Sequence, residues 1–92
     1  MKTKNNKNRI DLSHYYPNVY FTMREAECVY LLISYETRKT IGKMLGISSR
    51  TVDYYLENVR RKIDCKTQRS LYIAMEKINY KKIYKDFFDM ST

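Results

Sequence analysis

The stretch Thr37–Ile63, TRKTIGKMLGISSRTVDYYLENVRRKI, decides how this chain is read. It reads as a short helix, a tight glycine turn at Gly46, and a longer helix with a polar and basic outer face. Ile41, Leu45, Val52, Leu56, Val59 and Ile63 are its apolar positions. In the second segment they fall at 52, 56, 59 and 63, so one continuous stripe faces a core. The opposite stripe carries Ser49, Arg50, Asp53, Tyr54, Glu57, Asn58 and Arg61. A helix buried along one edge, with hydrogen-bonding groups a turn apart on the other, has the form that enters the major groove of DNA.

The flanking sequence supplies the boundaries of this corner. Thr37 and Ser48 are N-caps for the two helices, and Gly46 ends the first. Gly42, inside the first helix, costs about 1 kcal/mol relative to alanine, a cost that suits a close helix–helix approach. Upstream, Thr22-Met-Arg-Glu25 is a capping box with Phe21 as its apolar staple. The helix it starts places Cys28, Val29 and Leu32 on one face and runs to about Ser34. Residues 10–21 predict a short helical turn or an extended segment laid over the core.

Downstream, Asp64 follows the long helix at a position where a left-handed residue is expected. Thr67 caps a fourth helix with Leu71, Ala74, Met75 and Ile78 inside. Continued straight, that face would next present Lys81, Lys82 and Lys85, which cannot be core. The apolar stripe restarts, rotated, as Tyr80, Ile83, Tyr84, Phe87 and Phe88. Either the chain bends near Asn79 and a fifth helix folds back, or one long helix offers its second stripe to a partner. Read as a heptad seam, Ile73, Tyr80, Ile83, Phe87 and Met90 would line a homodimer contact, and this reading is preferred.

Bulk properties narrow the function classes. Ninety-two residues make one small domain, and 43% hydrophobic residues with only two Gly and one Pro argue for a folded helical chain. The net charge of +8, from 18 Lys plus Arg against 10 Asp plus Glu, points to a polyanionic partner. Lys2, Lys4, Lys7 and Arg9 concentrate part of that charge in the first nine residues, as a solvated tail or as an arm that touches phosphates or a minor groove. The longest apolar run, Cys28–Ile33, is far short of the ~20 residues that span a bilayer, and no secretory signal follows the basic start. No membrane role is expected. Cys28 and Cys65 match no metal-binding spacing, and Cys28 reads as a buried thiol in a reducing cytoplasm. His14 lies among tyrosines without a catalytic context. No nucleophile–base pair, phosphate-binding glycine loop or ligand cluster supports an enzyme, and no metal or cofactor is expected.

With these pieces in place, the chain resembles the LuxR/GerE-type helix-turn-helix domains of bacterial transcription regulators. The matching stretches are Phe21-Thr-Met-Arg-Glu25, Ile41-Gly42, Leu45-Gly-Ile-Ser48, Thr51-Val52, Leu56, Asn58-Val59 and Arg61-Lys-Ile63. The resemblance covers about residues 20–78. It implies an all-α, four-helix helix-turn-helix domain, here with a basic, flexible arm over 1–19 and an amphipathic helical extension over 79–92. It implies duplex-DNA binding with the 49–63 helix in the major groove, and dimerisation through the fourth helix. Base-facing roles pass to Asp53, Tyr54, Glu57, Asn58 and Arg61. Phosphate-facing roles pass to Lys39, Ser48, Arg50, Thr51, Lys62, Thr67 and Arg69. No receiver or ligand-binding domain fits within 92 residues, so a stand-alone regulator and an output domain of a longer one both remain open.

The departures from the family pattern carry expectations of their own. Asp53 and Glu57 stand where members often carry a basic or neutral polar residue. Either base recognition is altered, or these carboxylates are tied to Arg50 and Arg61 by helical spacing. Gln68 replaces a commonly basic residue. Tyr35 replaces a common glycine, which predicts a different backbone in the first turn, and Tyr55 replaces a frequent histidine in a packing role. A protein-interaction adaptor, or a module resembling sigma-factor region 4 that contacts RNA polymerase, is the competing reading. It draws on the acidic pair and on the Tyr80–Phe88 stripe.

Overall fold

The computed structural model describes residues 8–91. Residues 1–7 of the expected basic arm lie outside the described residues, as does the side chain of Met90 in the expected seam. Five helices follow a two-stranded hairpin. Strands β1 (Arg9–Asp11) and β2 (Tyr20–Thr22) precede α1 (Met23–Ile33), α2 (Arg38–Leu45), α3 (Ser49–Lys62), α4 (Gln68–Lys77) and α5 (Tyr80–Ser91).

The fold is mostly helical, as expected, and the hairpin is an addition to it. Its strands pair antiparallel with Ile10 opposite Phe21, and both side chains are buried. The loop between them is closed by Leu12 and Val19, whose backbone groups bond at 2.9 Å, and Asn18 takes a left-handed φ of 64°. Leu12 is fully buried. Thus residues 9–12 of the sequence expected to form a flexible arm contribute a strand and two core side chains. Three-residue strands carry too little alternation to be legible as a period of two; burial of Ile10 and Leu12 against the helices holds them.

Helix α1 begins at the expected capping box. The Glu25 N–H donates to Thr22 Oγ1 at 3.3 Å, and Thr22 N–H donates to Glu25 Oε1 at 2.9 Å. Ala26, Cys28, Val29 and Leu32 are buried along its inner face. Burial pushes the Cys28 thiol up to about 11, so it sits in the core as a neutral group. After Ser34 the chain turns at Tyr35, whose φ is +71°. Tyr35 takes up the left-handed conformation that glycine favours, at a cost of roughly 1–2 kcal/mol.

Caps Thr37, Ser48 and Thr67 all form, each hydroxyl accepting a backbone N–H three residues on. Gly46 has φ +72° and closes α2. An ideal Cβ on Gly42 would lie 2.6 Å from the Ile47 carbonyl oxygen, so the corner between α2 and α3 is closer than a side chain there allows. Val52, Leu56 and Val59 of α3, and Ile63 at its C-cap, are buried, as their spacing predicts. Each contributes on the order of 1.5–3 kcal/mol by leaving water.

The C-terminal segment settles differently from the preferred expectation. Asp64 and Asn79 both have left-handed φ, at 57° and 54°, and the second bends the chain between α4 and α5. Helix α5 folds back over α1. Tyr80 is fully buried, 5.8 Å from Phe21 between ring centroids, and its hydroxyl donates to the Ala26 carbonyl at 2.9 Å. Tyr84 stacks on Tyr30 at 4.1 Å. Ile83 and Phe87 are half-buried against the same core. The homodimer seam therefore fails at Tyr80, and Ile83 and Phe87 are largely committed to their own fold. The rotated stripe is satisfied by a bend, which puts both halves against one core.

Candidate nucleic-acid interface

Helix α3 holds its inner edge through the apolar stripe and its last turn through a polar clamp. Lys62 Nζ donates to Glu25 Oε1 at 2.7 Å and to the Tyr20 carbonyl at 2.8 Å, and lies 4.6 Å from the Tyr20 ring centre. Glu25 is only 4% exposed, so this ion pair lies largely out of water. One carboxylate thus caps α1 and anchors the end of α3. The phosphate role expected for Lys62 does not suit this geometry, because its ammonium is already engaged inside the molecule.

The outer edge of α3 is open. Ser49, Arg50, Asp53, Tyr54, Glu57 and Arg61 are exposed, and Asn58 is half-buried. Tyr54, 62% exposed, packs edge-on against Tyr55 at 5.6 Å, and Tyr55 in turn lies against the core, in the packing role expected of it. Arg61 is held by two neighbours on its own helix. Its Nη2 lies 3.3 Å from Glu57 Oε2, and its Nη1 donates to Asn58 Oδ1 at 3.1 Å. Three of the expected base readers therefore form one coupled group, in which a guanidinium is presented with its orientation set.

Asp53 is paired across the corner, not along the helix. Its Oδ1 accepts from Nε of Arg38, the first residue of α2, and Arg50 takes no part. Sequence reasoning missed Arg38, because the partners are fifteen residues apart and only the crossing of α2 with α3 joins them. It also missed Arg60, whose Nη1 donates to the Lys66 carbonyl at 2.8 Å and shapes the loop into α4. The pairing of Glu57 with Arg61 was anticipated.

Apart from Lys62, the expected phosphate contacts sit at the N-terminal ends of α2, α3 and α4. Lys39 is exposed in the first turn of α2, and Arg50 in the first turn of α3. Ser48 Oγ and Thr51 Oγ1 lie 2.9 Å apart at the N-terminus of α3. Thr67 caps α4 in a reciprocal box with Ser70, and Arg69 is exposed beside it. Helix N-termini with exposed hydroxyls and cations favour anions. Ile73, on the outer side of α4, is 48% exposed and is the one member of the expected dimer set left largely open among the described side chains. Among the described residues, no group of His, Cys, Asp or Glu could hold a metal ion, and no helix is long and apolar enough to cross a membrane.

The corner, the caps and the outward-facing third helix define a helix-turn-helix. Residues 19–81 match the profile of GerE, the luxR family of bacterial regulatory proteins. Comparisons with curated proteins and with solved structures gave no match. The profile match takes in all of α1 to α4, and the family it describes is non-enzymatic and acts by binding DNA to regulate transcription. The chain therefore belongs to the luxR family, as a helix-turn-helix domain of a DNA-binding transcription regulator.

Proposed function

We propose that the protein binds specific duplex-DNA sites in the bacterial cytoplasm as a homodimer, with α3 in the major groove of each half-site. The observation that carries this reading is the division of α3 into two edges. Val52, Leu56 and Val59 are buried, while Arg61 stands outward with its guanidinium steadied by Glu57 and Asn58. In this arrangement Asp53, Tyr54, Glu57, Asn58 and Arg61 meet base edges. Lys39, Ser48, Arg50, Thr51, Thr67 and Arg69 meet phosphates, and Lys62 sets the angle of α3 instead of touching DNA.

Dimerisation is assigned to α4 about Ile73, not to α5, whose apolar stripe is already covered. A two-fold axis there brings the same surface of two copies together. The adaptor reading, including a contact with RNA polymerase, draws on the acidic pair of α3 and on the Tyr80–Phe88 stripe. Asp53 and Glu57 are each paired to an arginine, and Tyr80, Ile83 and Tyr84 pack on the protein's own core, which weakens both supports.

Selection of bound sequences from a random duplex pool tests the reading directly. One enriched inverted repeat, with binding that weakens steeply as salt rises, is the expected result. Arg61→Ala should cost about 1–3 kcal/mol on the selected site and relax one base position. A pool without enrichment sinks the proposal, and a uniform loss on every sequence moves Arg61 to the backbone. Sedimentation of the free and DNA-bound chain, with Ile73→Glu as the disrupting variant, tests the dimer.

A further inference from the structure

We infer that Asp53 reads a cytosine, and that Arg38 makes this possible by neutralising the carboxylate and contacting the adjacent phosphate. The inference rests on the DNA-binding reading above and assigns one base of the site. A carboxylate in a major groove faces a conflict: it can accept a hydrogen bond from cytosine N4, yet it is repelled by the phosphates on either side. The α2–α3 corner resolves this conflict. Arg38 leaves the first position of α2 and reaches across to Asp53 Oδ1 through Nε.

Two features make the pair more than a surface ion pair. It uses one oxygen of the carboxylate, and among the described residues Oδ2 has no hydrogen-bond partner, so an acceptor remains available. The arginine is engaged through Nε, which leaves its Nη donors for an oxygen outside the protein. Both side chains are open to solvent, Asp53 at 58% and Arg38 at 37%. The corner that joins them is rigid, because Gly42 brings the start of α3 within van der Waals reach of α2. Glu57 differs: its carboxylate pairs with Arg61 on the same helix and serves to aim that guanidinium. The two carboxylates on one face therefore have separate tasks, one as an acceptor for a base and the other as a support for a donor.

The test begins from the sites that the wild-type protein selects from a random duplex pool. Each half-site should contain a position where cytosine is preferred, and Asp53→Asn should erase that preference, about 10-fold, or shift it to adenine. Replacing this cytosine with N4-methylcytosine should weaken wild-type binding and leave Asp53→Asn unaffected, a comparison that does not depend on how stable the variant is. Arg38→Gln should weaken binding to all duplexes and lower the salt slope by about 1, as loss of one phosphate contact does. If Asp53→Asn lowers thermal stability but changes no base preference, the pair is a clamp and the cytosine assignment is overturned. If the wild type enriches no sequence, the DNA reading itself fails and takes this assignment with it.

Discussion

Two joints of the chain turn amphipathic helices in opposite senses. At the α2–α3 corner, Gly46 supplies a left-handed residue and Gly42 the clearance, and the helix that follows keeps its polar edge outside. At the α4–α5 joint, Asn79 supplies the left-handed residue and the following helix is drawn inward by Tyr80, Tyr84 and Ile83. The corner aims a surface at something outside the protein; the joint closes a surface that would otherwise stay open. The difference lies in the first turns of the two helices. Helix α3 begins with polar Ser49-Arg50-Thr51, whereas α5 begins with a tyrosine whose ring and hydroxyl both find buried partners.

The largest effect should come from the joint. Tyr80→Ala removes a fully buried ring together with its hydroxyl's bond to the Ala26 carbonyl, and should cost roughly 3–5 kcal/mol in chemical denaturation of the monomer. If it instead left monomer stability intact and altered self-association, α5 would belong to a partner and the contrast between the joints would collapse. At the corner, Gly42→Val should cost about 3 kcal/mol, because the added Cβ meets a backbone oxygen that cannot move aside without opening the turn. DNA affinity should fall further than stability alone explains, since the angle of α3 changes.

Smaller effects sharpen the comparison. Lys62→Met should cost about 2 kcal/mol by leaving the buried Glu25 carboxylate unpaired, less than for a fully buried pair because Lys62 is 30% exposed. An unchanged melting temperature would mean that the apolar stripe alone fixes the end of α3. Tyr35→Gly should raise stability by roughly 1 kcal/mol through relief of the left-handed backbone, and a loss would show that the stacking of Tyr35 on Tyr72 outweighs it. The α5 packing also predicts a mild alkaline sensitivity. Burial raises Cys28 from 9.0 to about 11 and Tyr84 from 10.0 to about 12. Both groups hold their protons more tightly folded than unfolded, so their contribution is complete below pH 9 and fades as pH climbs through 11 to 12. Denaturation midpoints measured across that range should fall.

Much of this molecule was determined by local sequence. The capping box at Thr22 and Glu25, the caps at Thr37, Ser48 and Thr67, the glycine corner and the stripe from Val52 to Ile63 each depend on residues within one or two turns. Their hydrogen bonds and helical spacing can be read without knowing the rest of the fold. Tertiary structure decided what depends on residues distant in the chain. The pairing of Ile10 with Phe21, the clamp of Lys62 on Glu25, and the bond from Arg38 to Asp53 join segments that no periodicity links. The fate of α5 is of the same kind: a rotated apolar stripe states that something must cover it, and only the bend at Asn79 and the packing of Tyr80 on Phe21 and Ala26 determine that α1 does.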